Sequence, residues 1–334
     1  MSPAVGETPA EPLELLTGYQ AAAILGTAVE LGVPAELAAG PRTAAEVAAA
    51  LGTDERATGY LLGALVVLGL ARVEDAERGF GLTGRGAELV DGTSGSIAEI
   101  VRKEWFFYRV WAELPKAIGD GHARIAPWRE RLRDDPAQSL AFLRALDDLA
   151  ARFGAGLPEL AGLERGGRLL DVGGGAGSHS AYLEAAVPGL EATVLDLPAA
   201  EEVLRERHPE LGFVAGDFDE ERFGRPSGEL WDHVLIANLL HDHPPQRCRE
   251  LIAEAAGLLA PGGTLLIYDW VLGEDRVTPP DVAVFALMML VENEGGGTWT
   301  EGEIRSWVEA AGLRAEPLRR DPGPIAVLRA TRPG

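Results

Sequence analysis

The chain has 334 residues, and its 30 Lys and Arg against 52 Asp and Glu leave a formal net charge of −22. With Lys103 and Lys116 as its only lysines, it is a poor match for nucleic acid or an anionic membrane, since both are bound through clustered cations. A single cysteine, Cys248, excludes an internal disulfide and a cysteine-rich zinc site and fits a reducing compartment.

An apolar share of 46% is ordinary for a globular chain, and the length allows two or three domains of roughly 100–200 residues. Met1 to Pro12 lacks a positively charged start followed by an apolar stretch. The longest apolar run, Val282 to Val291, is far short of the ~18–20 residues that cross a bilayer, so a cytoplasmic protein is expected.

From the start to about Ser96, helical periodicity is broken by Gly and Pro. Leu13 to Leu31 and Ala57 to Leu70 carry apolar residues at three- and four-residue spacing, and Thr43 with Glu46 forms a capping-box pair. Leu70, Arg72, Val73, Phe80, Leu82 and Thr83 then read as a small hairpin turning over at Glu77 to Gly79. Helices followed by a hairpin make a winged-helix pattern, a module that either reads DNA or holds two chains together. Around Ala44 to Leu65 the charges are Glu46, Asp54, Glu55 and only Arg56, so dimerisation is the expected role for residues 1–96.

Residues 97–163 read as a helical connector, interrupted near Asp120 to Trp128 and rich in aromatics at Trp105, Phe106, Phe107, Tyr108 and Trp111. Those rings are either core or the wall of an acceptor pocket, together with Leu143 to Asp147 and Phe285 to Met289.

After Arg165 short β-rich runs alternate with helical ones. Strands are expected at Arg168 to Val172, Ala192 to Leu197, Gly212 to Ala215, His233 to Ala237, Thr264 to Tyr268 and Ala326 to Ala330. Helices fall between them at Ser180 to Ala186, Ala199 to Arg207, Gln246 to Leu259 and Glu301 to Ala311. That alternation predicts an α/β domain over 164–334, a doubly wound, mostly parallel sheet that binds its ligand beyond the carboxyl ends of the strands.

The run Leu170 to Ser178 reads LDVGGGAGS, between the first strand and a helix. Gly173, Gly175 and Gly177 are spaced G-x-G-x-G, whereas the dinucleotide pattern G-x-G-x-x-G would need glycine at Ser178. Asp171, two residues before the first of these glycines, would repel a pyrophosphate but could hold an ammonium group. The loop therefore favours S-adenosylmethionine over NAD. Asp196 ends the second strand, 21 positions past Gly175, where a carboxylate accepts from ribose hydroxyls. Asp217 follows the third strand and is placed to meet the adenine, with Phe218 packed on its face. Leu197 and Asn238 complete the expected cofactor-binding set.

Taken together, these residues resemble the two-domain S-adenosylmethionine-dependent small-molecule methyltransferases of bacterial natural-product and plant phenylpropanoid pathways. The likeness covers nearly the whole chain: Ala28-Val29-Glu30-Leu31-Gly32, the LDVGGGAG loop, Asp196, Gly216-Asp217, and the run from Leu239 through His241-Asp242 to Pro261-Gly262-Gly263. The resemblance implies a homodimer formed through the N-terminal domain, a small-molecule acceptor, His241 as general base and Asp269 as the acid that orients it. His122, His179, His208 and His233 lack the placement of His241 and are expected to be structural or solvated.

Three departures from the family pattern bear on the chemistry. His243 replaces the usual tryptophan of His-Asp-Trp, the family's second acid near the base falls at about Thr298, and the connector has no acceptor-caging methionines, leaving Met288 and Met289 as the only internal ones. The main expectation is O-methylation with His241 as base and Asp242 beside it. The alternative is C-methylation of a 2-oxo acid next to its keto group, with iron or zinc held by His241, Asp242 and Glu292. Two minor alternatives are a regulator that senses the cofactor and a relative that decarboxylates or hydroxylates.

Overall fold

The computed structural model describes residues 12–74, 79–217, 230–320 and 323–334. The chain divides into two compact units, Met1–Ala112 and Glu113–Gly334. The division falls inside the stretch 97–163 read as connector, because the helix Ala98–Val110 packs into the first unit, where Phe107 is fully buried.

In the first unit the expected helix over Leu13 to Leu31 is two, α1 (Pro12–Thr17) and α2 (Tyr19–Leu31). They are followed by α3 (Val33–Ala38), α4 (Ala44–Leu51) and α5 (Glu55–Val67). The capping box at the start of α4 is formed: Thr43 N–H donates to Glu46 at 2.8 Å, and Glu46 N–H donates to Thr43 Oγ1 at 3.2 Å. Strands β1 (Ala71–Val73) and β2 (Phe80–Leu82) pair antiparallel, Ala71 opposite Leu82, as the expected hairpin; Glu77 in its turn lies outside the described residues. Two helices, α6 (Gly84–Ala87) and α7 (Ala98–Val110), complete the unit.

Ala28, Val33, Leu37, Val47, Leu62, Leu65 and Ala71 form the unit's core. A fully buried leucine such as Leu62 contributes about 2 kcal/mol by leaving water. Trp105 stacks on Tyr108 with ring centroids 4.8 Å apart and points its indole N–H at Glu30. Trp105 and Phe107 thus pack within this unit, the core role weighed for the connector aromatics.

The second unit opens with α8 (Leu114–Asp120), α9 (Trp128–Asp134), α10 (Pro136–Phe153) and α11 (Leu157–Ala161). A run of alternating elements follows: β3 (Gly167–Val172), α12 (Ser178–Ala186), β4 (Leu190–Asp196), α13 (Ala200–Arg207), β5 (Gly212–Ala215), β6 (Trp231–Ala237), α14 (Pro245–Leu258) and β7 (Leu259–Leu272). The chain ends with α15 (Pro280–Glu292), β8 (Trp299–Thr300), α16 (Glu301–Ala310), β9 (Arg314–Ala315), β10 (Arg319–Arg320) and β11 (Ile325–Thr331).

The six strands expected from sequence are all present, β5 with the expected ends and the other five with shifted ones. Joined by β8, β9 and β10, they form one nine-stranded sheet in the order β10-β11-β7-β6-β3-β4-β5, with β8 on β7 and β9 on β11. Pairing is parallel from β5 to β7 and antiparallel where β11 returns beside β7. Buried on both faces, the central strands read as apolar runs, as in Leu169-Leu170 and Val234-Leu235-Ile236. The chain runs outward from β3 to β5 and comes back to place β6 on the other side of β3. The crevice at this reversal opens at the carboxyl ends of β3 and β6.

Candidate active site

The glycine loop leaves β3 at Val172. Gly173, Gly175 and Gly177 have φ of 69°, 55° and 86°, the left-handed region in which a side chain is strained. Gly174, outside the spaced pattern, is required for a different reason: a Cβ there would lie 2.5 Å from the Asp171 carboxylate. Asp171 is 1% exposed, and Oδ2 accepts from Ser180 Oγ at 2.8 Å. Oδ1 is buried with no hydrogen-bond partner among the described residues. Burial, reinforced by the nearby Asp196 charge, lifts the Asp171 pKa to about 7.

Asp196, at the end of β4, accepts from Gly175 N–H at 2.8 Å and from Leu197 N–H at 2.6 Å, tying the loop to the neighbouring strand. Burial raises its pKa to about 6 against those two hydrogen bonds. Asp217 receives Arg129 of α9 at 2.7 Å. Phe218 lies outside the described residues. Asn238 follows β6 with φ of 51°, its N–H bonded to the Tyr268 carbonyl at 2.8 Å. Its buried Oδ1 is a second acceptor without a partner among the described residues.

His179, which the sequence reading set aside, is a neighbour of this cluster. Its Nε2 lies 3.4 Å from Asn238 Nδ2, and its ring sits 5.0 Å from that of Tyr268. Burial pushes its pKa down to about 4, so a neutral ring accepts from the amide. Its position in the first turn after the glycine loop was the available signal. Two unsatisfied buried oxygens and the buried acids Asp171 and Asp196 fit a ligand bearing ammonium and hydroxyl donors, as S-adenosylmethionine does.

The second half of the site is a short turn, Leu240–Asp242, after β6. It is fixed from several sides: Leu240 N–H donates to Asp269 Oδ2 at 2.9 Å, and the Leu240 carbonyl accepts from Trp299 Nε1 at 2.9 Å and from the buried Cys248 thiol at 3.2 Å. Gly297 N–H donates to the His241 carbonyl at 2.9 Å. His241 Nδ1 meets Asp269 Oδ1 at 2.6 Å, which selects the tautomer with the proton on Nδ1 and leaves Nε2 as the basic nitrogen. Burial opposes a charged ring, but Asp269, Asp242 and Glu292 outweigh it and carry the His241 pKa to about 9. The ring of Phe285 stands edge-on to His241 at 5.0 Å and stacks on Trp270 at 4.2 Å. Thr298, where the resemblance would place a second acid, is buried.

The expected metal set is not arranged as one. Among the described residues no group of three His, Cys, Asp or Glu side chains could hold a metal ion. Two of the three candidates are engaged elsewhere: Glu292 receives Arg131 at 3.0 Å, and Asp242 receives Asn293 Nδ2 at 2.6 Å. A guanidinium on Glu292 occupies the charge complement that a cation would supply. Iron or zinc therefore does not fit this donor set, and the metal-assisted reading is corrected on that ground.

Helix α10 lies over the glycine loop. Leu143, Ala176, Ala200 and Val203 share a buried cluster. Asp147, 8% exposed, accepts from Ser178 Oγ in the first turn of α12 and is 2.9 Å from His208 Nε2 at the end of α13. His208 is therefore structural, while His122 is exposed and bonded to Glu294 at 2.8 Å.

A G-x-G-x-G loop, a carboxylate after the second strand and a histidine–aspartate pair after the fourth define the class of S-adenosylmethionine-dependent methyltransferases. Comparison with known proteins agrees: residues 111–314 match the O-methyltransferase domain and residues 13–91 the O-methyltransferase dimerisation domain. The chain belongs to the O-methyltransferase family. It is 28% identical to acetylserotonin O-methyltransferase of Mus musculus, covering 96% of this chain and 88% of that one. It is 31% identical to the N,N-dimethyltransferase OxyT of Streptomyces rimosus, over 92% of this chain and 91% of that one. Its fold matches the crystal structure of human N-acetylserotonin methyltransferase in complex with SAM at a TM-score of 0.86 and 23% identity, over 98% of this chain and 100% of that one.

Proposed function

We propose that the chain transfers a methyl group from S-adenosylmethionine to a hydroxyl group of a small secondary metabolite, with His241 as general base. The observation that carries this reading is the 2.6 Å bond between His241 Nδ1 and Asp269, which turns the basic Nε2 away from its partner. The cofactor supplies an electrophilic methyl on a sulfonium leaving group, so the protein's work is alignment and removal of one proton. Asp171 and Asn238 receive the amino-acid end, and Asp196, beside Leu197, receives the ribose. Asp217 meets the adenine, a role that the sequence alone suggests for Phe218 as well, and Gly173 and Gly175 let the backbone approach. A phenol with a pKa of ~10 is mostly protonated near neutral pH, and its proton passes to Nε2 of the uncharged form of His241 as the oxygen attacks. Asp242, 3.6 Å from that nitrogen, favours the imidazolium that forms.

An amine acceptor is the second reading, favoured by the identity to OxyT. Incubation of the purified protein with S-adenosylmethionine and panels of hydroxyarenes and arylamines, read by mass spectrometry, tests both. Gain of one methyl on a hydroxyarene with release of S-adenosylhomocysteine supports the first, and gain on arylamines alone overturns it.

The N-terminal unit is proposed to be a winged-helix module that joins two chains. Its helices followed by the β1–β2 hairpin and its match to the dimerisation domain support this. Among the described residues no helix is long and apolar enough to cross a membrane. A cytoplasmic location is proposed separately, because the single cysteine suits a reducing compartment. Residues 1–96, 97–163 and 164–334 are proposed as dimerisation, connector and catalytic regions, the connector being shared between the two units.

A further inference from the structure

Asp147 is a nearly buried carboxylate that the proposed chemistry does not use. Burying an ionised acid costs several kcal/mol unless it is hydrogen-bonded and faces opposite charge, and Asp147 has both. Ser178 and His208 both meet Oδ1, and Arg207 Nε stands 3.8 Å from Oδ2. Although burial works in the opposite direction, these partners hold its pKa below the ordinary carboxylate value, so it is charged.

Its three partners lie on two other helices. Ser178 is the first residue of α12, immediately after Gly177, while Arg207 and His208 end α13. The same face of α10 carries Arg144, 2.8 Å from Glu206, and Asp148, 3.5 Å from Arg207. Helix α9 adds Arg129 on Asp217. A seam of polar pairs thus clasps α9 and α10 to the cofactor side of the sheet, with Leu143, Ala176 and Val203 closing the apolar layer beneath it. Within this seam Asp147 is bonded to the helix that the glycine loop leads into.

We propose that Asp147 is a positioning residue for the cofactor loop, fixing the first turn of α12 beneath α10 so that Gly173 to Gly177 hold their binding shape. The inference rests on the proposed use of S-adenosylmethionine. It also accounts for the choice of ligand. In dinucleotide folds the N-terminus of this helix receives a pyrophosphate, whereas here a fixed carboxylate bonds to the Ser178 hydroxyl in its first turn and sets a negative charge beside the helix's positive end. A second anion there is repelled, and a cationic sulfonium ligand is not.

The test compares wild type, D147N, D147A and S178A as full-length protein, with folding checked by circular dichroism and thermal melting. Loss of a hydrogen bond to a charged group predicts that D147A raises the S-adenosylmethionine KM and dissociation constant by about tenfold or more. Its kcat at saturating cofactor stays within about twofold of wild type, and its acceptor KM is unchanged. S178A gives a smaller rise, and D147N, whose amide oxygen still accepts from Ser178, recovers part of the loss.

Wild-type cofactor affinity in a folded D147A overturns the proposal. So does an equal loss of kcat for all substrates, or failure of all three variants to fold, either of which makes Asp147 a general structural residue. If wild type itself binds no S-adenosylmethionine, the functional reading fails instead, and calorimetric titration of wild type separates the two cases.

Discussion

Asp269 bonds through both oxygens at once: Oδ1 holds His241 Nδ1 at 2.6 Å and Oδ2 receives Leu240 N–H at 2.9 Å. Oδ1 also accepts from its neighbour Trp270 N–H at 2.7 Å, so the carboxylate cannot rotate without breaking backbone bonds. The imidazole is therefore aimed by the backbone of its own turn. Replacing His241 by alanine is expected to lower kcat by about 10²–10⁴-fold while leaving cofactor affinity close to wild type. Asp269→Asn, which can present an N–H to Nδ1 and so favour the wrong tautomer, should lower kcat by about 10²-fold or more. Steady-state kinetics with cofactor titration checks both, and a cofactor KM that rises in parallel with the fall in kcat would count against an aiming role.

The pH profile follows from the carboxylates around His241. Its pKa of about 9 means that the ring is charged near neutrality and becomes a competent base as pH rises, so kcat/KM should climb toward an alkaline plateau. Asp242 favours the charged ring, so Asp242→Asn should shift that limb to lower pH by about one unit or more. A limb that moves alkaline or stays in place would contradict this electrostatic account.

Asp171 and Asp196 give the protein a cofactor-dependent stability. Both pKa values, about 7 and about 6, lie above that of an exposed carboxyl, so the folded chain binds these protons more tightly than the unfolded chain does. The resulting stabilisation is fully present below about pH 4 and is lost as pH rises through 6 to 7. A cationic ligand facing the ionised pair offsets that loss. Melting curves should show a larger upward shift with S-adenosylmethionine at pH 8 than at pH 5.

Gly174→Ala places a methyl group 2.5 Å from the Asp171 carboxylate. Relieving that contact by backbone or side-chain movement costs about 1–3 kcal/mol. The variant should melt at lower temperature and bind S-adenosylmethionine at least about tenfold more weakly by calorimetric titration.

Metal removal is expected to change nothing. Arg131 on Glu292 and Asn293 on Asp242 already satisfy the acids that a cation would need. Dialysis against a chelator, followed by a methyl-transfer assay, should return full activity, and restoration of a lost rate by added iron or zinc would show that those pairs open.

The sheet was legible because its central strands are continuous apolar runs and its loop glycines have no other use at that spacing. The site was legible where one residue's role follows from its own strand end, as for Asp171, Asp196 and His241. Pairs that join distant segments were not legible, because local periodicity carries no information about them. Arg129 meets Asp217 across 88 positions and Arg131 meets Glu292 across 161. Hence Glu292 read as a metal ligand until its guanidinium partner came into view, and Asp147 read as pocket wall. The paired segments β8, β9 and β10 are two residues each, too short for any alternating pattern. Helix α15 read as an apolar run and a stretch of pocket wall but not as a helix, since apolar residues line it on nearly every side.

Cys248 donates to the carbonyls of Leu240 and His243, and burial pushes its thiol to about 12. As the only cysteine, buried behind the turn that carries His241, it makes the chain its own reporter. Thiol reagents should leave the folded enzyme untouched, and the rate at which they do react measures how often the catalytic turn comes away from the sheet.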